Sequence, residues 1–137
     1  MEENDLSIDA LNARSSGTLM EALGIRYTLA TAERVEAVMA VDERTCQPFG
    51  ILHGGASLAL AETLAGLGSM LALGKGGSAV GAQVSANHVG KAMMGDTVKA
   101  VATPIHLGYR THVWNVDIET AEGRPVSTIR VTNCVIM

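Results

Sequence analysis

Aromatic side chains and cysteines are scarce in this chain. Its 137 residues include one Trp, two Tyr, one Phe and two Cys. Two cysteines that form no Cys-x-x-Cys pair exclude a disulfide-stapled scaffold. Because 47% of the residues are hydrophobic and 18% are charged, the composition also excludes a disordered chain. The core must be built from aliphatic and small side chains, and the length suits a single domain over residues 1–137.

Basic residues are also few. Ten Lys and Arg against fourteen Asp and Glu give a net charge of −4, and the basic residues form no stripe. Nucleic acid is therefore not expected as a partner. No spacing of Cys, His and Asp matches a metal site, so no metal is predicted. The acidic start, residues 1–5, lacks the basic and apolar regions of a signal peptide, which predicts a cytoplasmic protein.

An apolar run over residues 52–73 is long enough to span a bilayer. It carries Glu62 near its middle, together with His53 and four glycines. A carboxylate at that depth is costly in lipid, whereas a helix that is apolar on all sides is also typical of one enclosed by protein. We interpret the run as a buried helix and predict no membrane contact.

Hydrophobic periodicity and capping residues predict the elements of the fold. Ser7 can cap a helix over 8–13, and Gly24 can end a helical turn over 18–23. The apolar run predicts a long helix over 54–73. Strands are predicted over 34–41, 79–88, 97–105, 110–120 and 126–136. With the last four strands as an antiparallel meander, we predict an α+β fold in which the sheet wraps around one central helix.

Glu62 is the only carboxylate between Glu43 and Asp96. In the middle of an apolar helix it is expected to be enclosed and desolvated. A carboxyl group in such a place suits a general acid, a general base or a nucleophile. The plainer interpretation is a polar residue that a neighbour satisfies or that reaches the surface. The small residues around it leave room for a substrate or for a second helix.

Gly54 and Gly55 follow His53 at the start of the same helix. Backbone N–H groups there have no intrahelical partner and lie at the positive end of the helix dipole. Such groups can stabilise the oxyanion that develops from a reacting carbonyl. Gly54 and Glu62 are eight residues apart, about 12 Å along a helix. One helix cannot bring both to one carbonyl, so we predict active sites shared across a two-fold homodimer with antiparallel helices.

Three segments of the chain, 47–49, 52–57 and 61–64, resemble hotdog-fold acyl-CoA thioesterases of the 4-hydroxybenzoyl-CoA thioesterase type. The resemblance covers nearly the whole chain, because residues 11–12, 23–25, 104–108 and Trp114 also fit. It implies a hotdog fold, dimers that pair their sheets, and a homotetramer of two such dimers. It implies no cofactor beyond the coenzyme A of the substrate.

The resemblance also implies roles for individual residues. Glu62 would be the nucleophile or the general base, and Gly54 N–H would donate to the thioester oxygen. Gln47 and His53 would support the carbonyl and the thiol. His88 would contact the acyl group or the departing thiol. The pantetheine arm would lie along Val80, Gly81 and Ala82, and the nucleotide phosphates would meet His106 or Arg110.

Gly66 is a departure from the pattern of similar enzymes, which often carry Ser or Thr four residues after the catalytic Glu. That hydroxyl helps to position water. Thr63 and Ser69 are the two hydroxyl residues that could compensate for its absence.

Hydrolysis of an acyl-CoA or aroyl-CoA thioester is therefore the predicted reaction, with thioesters of acyl carrier protein as further possible substrates. Two alternatives stay open at this point. One is a hotdog dehydratase or hydratase acting on acyl-thioesters, which also uses a His and a carboxylate near this helix. The other is a non-catalytic acyl-CoA-binding module.

Overall fold

The computed structural model describes residues 6–136, so residues 1–5, whose composition bears on targeting, lie outside it. Six strands form one antiparallel sheet, and a long helix packs against it. This confirms the predicted α+β fold. In chain order the elements are α1 (Ile8–Ala13), α2 (Leu19–Leu23), β1 (Arg26–Ala30), β2 (Val35–Ala40), α3 (Gly54–Leu73), β3 (Ser78–His88), β4 (Thr97–Leu107), β5 (Thr111–Thr120) and β6 (Pro125–Ile136), with a 3-10 turn at Gly74–Gly76.

The helix boundaries follow from local chemistry that the sequence displays. Ser7 caps α1 by accepting a hydrogen bond from Ala10 N–H, as predicted. Thr18 caps α2 in the same way, and Gly24 ends that helix with a φ of 75°, a left-handed conformation that favours glycine.

The strand order, β1-β2-β4-β5-β6-β3, differs from the predicted meander. β4, β5 and β6 do follow one another, but β3 pairs with β6 instead of β4. The chain leaves β3 at one edge and crosses the end of the sheet through residues 89–96. Hydrogen bonds from Leu52 N–H to Ala92 and from Met94 N–H to Gly50 hold this crossing segment against the loop before α3. Strand patterning alone predicts strands but not this crossover, so the meander was wrong in its first strand.

β1 is a second difference, because no strand was predicted over 26–30. Its burial pattern shows why: Tyr27 is the only one of its five residues that is buried. A strand with a single buried residue shows no alternation that a sequence pattern could detect.

Aliphatic and small side chains fill the space between α3 and the sheet. Leu60, Leu64 and Ala65 on α3 are fully buried, as are the inward-facing residues of β2 and β4. Trp114 on β5 is the one fully buried aromatic residue among those described, and it packs over Gly68. The scarcity of aromatics is thus a property of a core in which helix and sheet approach closely.

The span Gly54–Gly76 is long and apolar enough to cross a membrane by length and composition. In the structure it packs against β2, β3, β4, β5 and β6, which is the position of a core helix. The expectation that it is enclosed on all sides is wrong for the described chain, because Gly55, Glu62 and Met70 are exposed along one face.

Two glycines on α3 lead to opposite expectations. A Cβ on Gly66 would meet nothing within 4 Å, so Gly66→Ala should raise the free energy of unfolding by about 1 kcal/mol through helix propensity. A Cβ on Gly68 would lie 2.6 Å from Trp114 Cζ2. We expect Gly68→Ala to lower the free energy of unfolding by about 1–3 kcal/mol, because the Trp114 indole must shift. Urea unfolding of the pair measures both, and a Gly68→Ala protein as stable as Gly66→Ala would contradict this packing.

Candidate active site

At the start of α3, one backbone N–H group has no hydrogen-bond partner among residues 6–136. His53 is the N-cap, and its Nδ1 accepts a hydrogen bond of 2.7 Å from Gly55 N–H. The His53 carbonyl accepts from Ala56 and Ser57 N–H at 3.0 and 3.3 Å. Among the described residues nothing accepts from Gly54 N–H, which lies at the positive end of the helix dipole. This group is therefore available to a ligand oxygen.

His88, at the end of β3, lies directly over Gly54. A Cβ on Gly54 would be 2.7 Å from His88 Nε2, so this close approach requires glycine. The other ring nitrogen, Nδ1, is 2.7 Å from the hydroxyl of the buried residue Ser127. The Ser127 hydroxyl thus fixes the imidazole with Nε2 beside Gly54.

Gln47, Gly54 and His88 line one cavity of about 420 Å³. We call these three residues the helix-start cradle. The Gln47 side-chain oxygen accepts a hydrogen bond from Phe49 N–H, which leaves the Gln47 amide N–H groups free to donate. The cradle therefore presents hydrogen-bond donors to an oxygen-bearing ligand.

The His53 side chain lies apart from this cavity. Its ring lines a separate groove of about 290 Å³ that also includes Leu23 and Ala59. Because Nδ1 accepts from Gly55 N–H, the neutral ring carries its proton on Nε2. The structure thus assigns His53 a capping contact and leaves the Nε2–H without a hydrogen-bond partner among residues 6–136.

Glu62 is exposed, so the expectation of an enclosed and desolvated carboxyl is wrong for the described chain. The reason is that α3 packs on the sheet with one face, and Glu62 lies at the margin of that face. Its Oε1 is 3.4 Å from the point where a Cβ on Gly81 would be, so the carboxylate lies over β3. A β-bulge between Gly81 and Gln83 interrupts the pairing of β3 with β6 at this point.

Gly54 and Glu62 both lie on α3, eight residues apart, which corresponds to about 12 Å along the axis. The structure brings Gln47 and His88 to Gly54, and it brings Gly81 to Glu62, but it does not bring these two groups together within one chain.

The remaining predicted residues lie on β3 and at the β4–β5 hairpin. Val80 and Ala82 are exposed on either side of Gly81. His106 and Arg110 are exposed near the turn between β4 and β5. Neither of these two side chains makes a hydrogen bond or ion pair within residues 6–136, and their binding roles stay predictions. No three His, Cys, Asp or Glu side chains in the described range could together hold a metal ion.

The family model for the thioesterase superfamily matches residues 49–127, a segment that contains α3, the cradle residues 54 and 88, and Glu62. The chain belongs to the thioesterase superfamily. It is an enzyme of thioester hydrolysis, and the interpretation as a non-catalytic module is set aside.

Relatives of this thioesterase have the same activity in their names. The proofreading thioesterase EntH of Cronobacter turicensis is 44% identical over 96% of this chain and 95% of its own length. The 1,4-dihydroxy-2-naphthoyl-CoA hydrolase of Escherichia coli is 39% identical, with 96% of each chain covered. A thioesterase crystal structure from Haemophilus influenzae is 41% identical and superposes with a TM-score of 0.91, over 98% of this chain and 93% of that chain. The predicted hotdog family is thereby confirmed.

A buried polar cluster of this thioesterase was not predicted. Ser69 Oγ is 2.9 Å from Trp114 Nε1, 3.0 Å from Asn133 Nδ2 and 2.8 Å from His112 Nδ1. Trp114 and Asn133 can only donate through these nitrogens, so the Ser69 proton must point to His112. Burial, and to a lesser extent the nearby His106, lowers the pKa of His112, which favours the neutral ring that this bond needs. The sequence signal was a lone serine in the second half of an apolar helix.

Ser69 and Thr63, the two residues that could compensate for the hydroxyl missing at Gly66, are both engaged elsewhere. Ser69 is fully buried and all its bonds are used by the cluster. Thr63 Oγ1 donates to the Ala59 carbonyl at 2.7 Å within the helix. Neither hydroxyl is directed to Glu62, so neither replaces the hydroxyl that Gly66 lacks.

Proposed function

We propose that this thioesterase hydrolyses acyl-CoA or aroyl-CoA thioesters at two sites, each shared between the subunits of a homodimer. The observation that carries the proposal is the single free N–H of Gly54 under His88, on the same helix as Glu62 but about 12 Å from it. A carbonyl bound at the helix-start cradle needs a carboxylate, and a second copy with an antiparallel α3 can supply it.

β3 supports such a dimer. It is an edge strand of eleven residues that pairs with β6 on one side and with no described strand on the other. It carries no Lys, Arg, Asp or Glu, the residues that usually prevent edge strands from pairing. Beside it the exposed face of α3 presents Gly55, Glu62 and Met70. A second copy that pairs along β3 would cover this face and place the partner's α3 beside it.

In the proposed mechanism Gly54 N–H donates to the thioester carbonyl oxygen, and this bond strengthens as the oxygen becomes negative. As a general base, the partner subunit's Glu62 takes a proton from water while the water oxygen bonds to the carbonyl carbon. The carbon–sulfur bond then breaks, and the thiolate leaves with the proton held by Glu62.

As a nucleophile, the Glu62 carboxylate would instead displace the thiolate and form an anhydride, which water hydrolyses to the acid and free Glu62.

Gln47 and His88 complete the carbonyl end of the site. The free Gln47 amide can donate a second hydrogen bond to the carbonyl oxygen, and His88 Nε2 can contact the acyl group or the sulfur. His53 supports them by capping α3, which holds Gly55 N–H and leaves Gly54 N–H free.

Other parts of the proposal rest on family likeness. The pantetheine arm lies along Val80, Gly81 and Ala82, and the nucleotide phosphates meet His106 or Arg110. The aroyl class is supported by the name of the Escherichia coli relative. Assembly into a tetramer, action on carrier-protein thioesters, a cytoplasmic location and the lack of a separate cofactor belong to the same proposal.

Release of free thiol from a panel of aroyl- and acyl-CoA thioesters tests the reaction. We expect hydrolysis of at least one class, with stoichiometric acid and thiol. Formation of an alkene from a 3-hydroxyacyl-CoA without thiol release would instead support the dehydratase interpretation. Tight binding of every ester without turnover would contradict the proposed function.

A further inference from the structure

Asn133 on β6 is almost completely buried, at 2% exposure, and directs its amide between α3 and β3. Its Nδ2 donates to the Ala65 carbonyl at 3.2 Å and to Ser69 Oγ at 3.0 Å. Because a carbonyl oxygen can only accept, the amide nitrogen must be the atom that faces Ala65. The orientation of the amide is therefore fixed, and Oδ1 points to the opposite side.

That oxygen faces Gly81, the residue paired with Asn133 across the two strands. A Cβ on Gly81 would lie 3.9 Å from Asn133 Oδ1 and 3.4 Å from Glu62 Oε1. No residue in the range 6–136 donates a hydrogen bond to Asn133 Oδ1. The amide oxygen of the buried residue Asn133 and a carboxylate oxygen of Glu62 thus lie on the same side of Gly81, and both can only accept. Water, with two O–H donors, is the smallest molecule that satisfies both.

Missing side chains leave space beside these two oxygens. Gly81 has none on the strand, and Gly66 has none on the helix between the two residues that Asn133 contacts. A Cβ on Gly66 would meet nothing within 4 Å. The hydroxyl that similar enzymes place at position 66 is thus absent from a region where an amide oxygen is present.

We propose that Asn133 Oδ1 and Glu62 together hold the water that attacks the thioester, in the place of that hydroxyl. This inference rests on the proposed function and makes Glu62 the general base. One water proton is hydrogen-bonded to Asn133 Oδ1, and the other passes to the Glu62 carboxylate as the water oxygen bonds to the carbonyl carbon. When the carbon–sulfur bond breaks, the proton on Glu62 goes to the thiolate. Asn133 only orients the water and exchanges no proton.

The buried cluster fixes the orientation of the Asn133 side-chain amide. Ser69 accepts from Asn133 and Trp114 and donates to His112, so rotation of the Asn133 amide would break two bonds and leave buried groups unpaired. Ser69, Trp114 and His112 are positioning residues in this arrangement, since none of them faces the water.

Steady-state kinetics of Asn133→Ala on the best CoA ester of the panel test the inference. We expect kcat to fall about 10–100-fold, because the water loses its second anchor, with KM within about threefold of wild type. The matched control is Asn115→Ala, which removes an amide of the same size from β5, where its side chain bonds to Asp117 outside the cluster. Its kcat should stay within about threefold of wild type. Asn133→Ser, which is too short to bring an oxygen to Gly81, is the second variant if Asn133→Ala does not fold.

Rescue separates a role in water binding from a structural one. Gly66→Ser adds a hydroxyl in open space, so Gly66→Ser in the Asn133→Ala background should recover most of the lost kcat, whereas Gly66→Ala, which also favours the helix but has no hydroxyl, should recover none. The inference is overturned if Asn133→Ala keeps its kcat, if Asn115→Ala loses as much as Asn133→Ala, or if Gly66→Ser restores none of the lost kcat. Glu62→Gln, assayed in parallel, separates failure of the proposed function from failure of this inference. If Glu62→Gln keeps its activity, the proposed function is refuted. If Glu62→Gln loses its activity while Asn133→Ala keeps its own in full, only the role of Asn133 is refuted.

Discussion

Glu62→Gln is expected to lower kcat by about 10²–10⁴-fold while KM changes little. An amide of the same shape can neither take a proton from water nor attack a carbonyl carbon, so the variant loses whichever role the carboxylate has. Thiol release under substrate saturation measures the loss.

Stability should not change in this variant. Glu62 makes no hydrogen bond or ion pair with another described residue, so its amide leaves no group unpaired. Glu119→Gln is the matched control, because it removes a carboxylate from an exposed strand position outside both parts of the site. If Glu62→Gln turns over substrate nearly as fast as Glu119→Gln, the Glu62 carboxylate takes no part in the mechanism.

Gly54→Pro is expected to lower kcat about 10²–10³-fold below Gly54→Ala. Both variants add a Cβ that faces His88, but only proline removes the N–H group. Proline suits this position for two reasons: it is favoured at the first residue of a helix, and His53 has the extended backbone, with ψ of 132°, that must precede it. Because no described residue accepts from Gly54 N–H, the change breaks no bond of the fold.

The pair therefore isolates one hydrogen bond. Gly54→Ala alone should cost some activity, since its Cβ would lie 2.7 Å from His88 Nε2 and must displace the ring. Thermal unfolding of the two variants should be similar. Equal kcat values in Gly54→Pro and Gly54→Ala would show that the free N–H does not contact the reacting oxygen.

Local chemistry made much of the fold predictable. α3, the Ser7 cap and the Gly24 termination depend on residues within a few positions of each other, and all three were confirmed. The position of β3 depends on pairing with β6, which a loop that crosses the sheet makes possible and which no local pattern records.

The site residues also differ in whether their partners are near or far in the sequence. Gln47 and Gly54 are close in sequence to the helix start, whereas the approach of His88 to Gly54 arises only when β3 reaches that helix. The exposure of Glu62 was missed because an apolar sequence around a residue does not show which face of a helix packs. Asn133 was missed because its partners, Ala65 and Ser69, lie far away in the chain.

The central claim, that each site combines Gly54 of one subunit with Glu62 of its partner, is tested most directly by mixing two inactive variants. Glu62→Gln and Gly54→Pro are unfolded together in equal amounts, refolded and assayed for thiol release. If sites are shared across a two-fold dimer, about half of the dimers are mixed and each contains one site with both groups intact. We then expect recovery of about a quarter of wild-type activity. The contrary result is activity that stays at the level of the separate variants in a sample shown to contain mixed dimers. It would place the whole site within one chain and contradict the claim that the sites are shared.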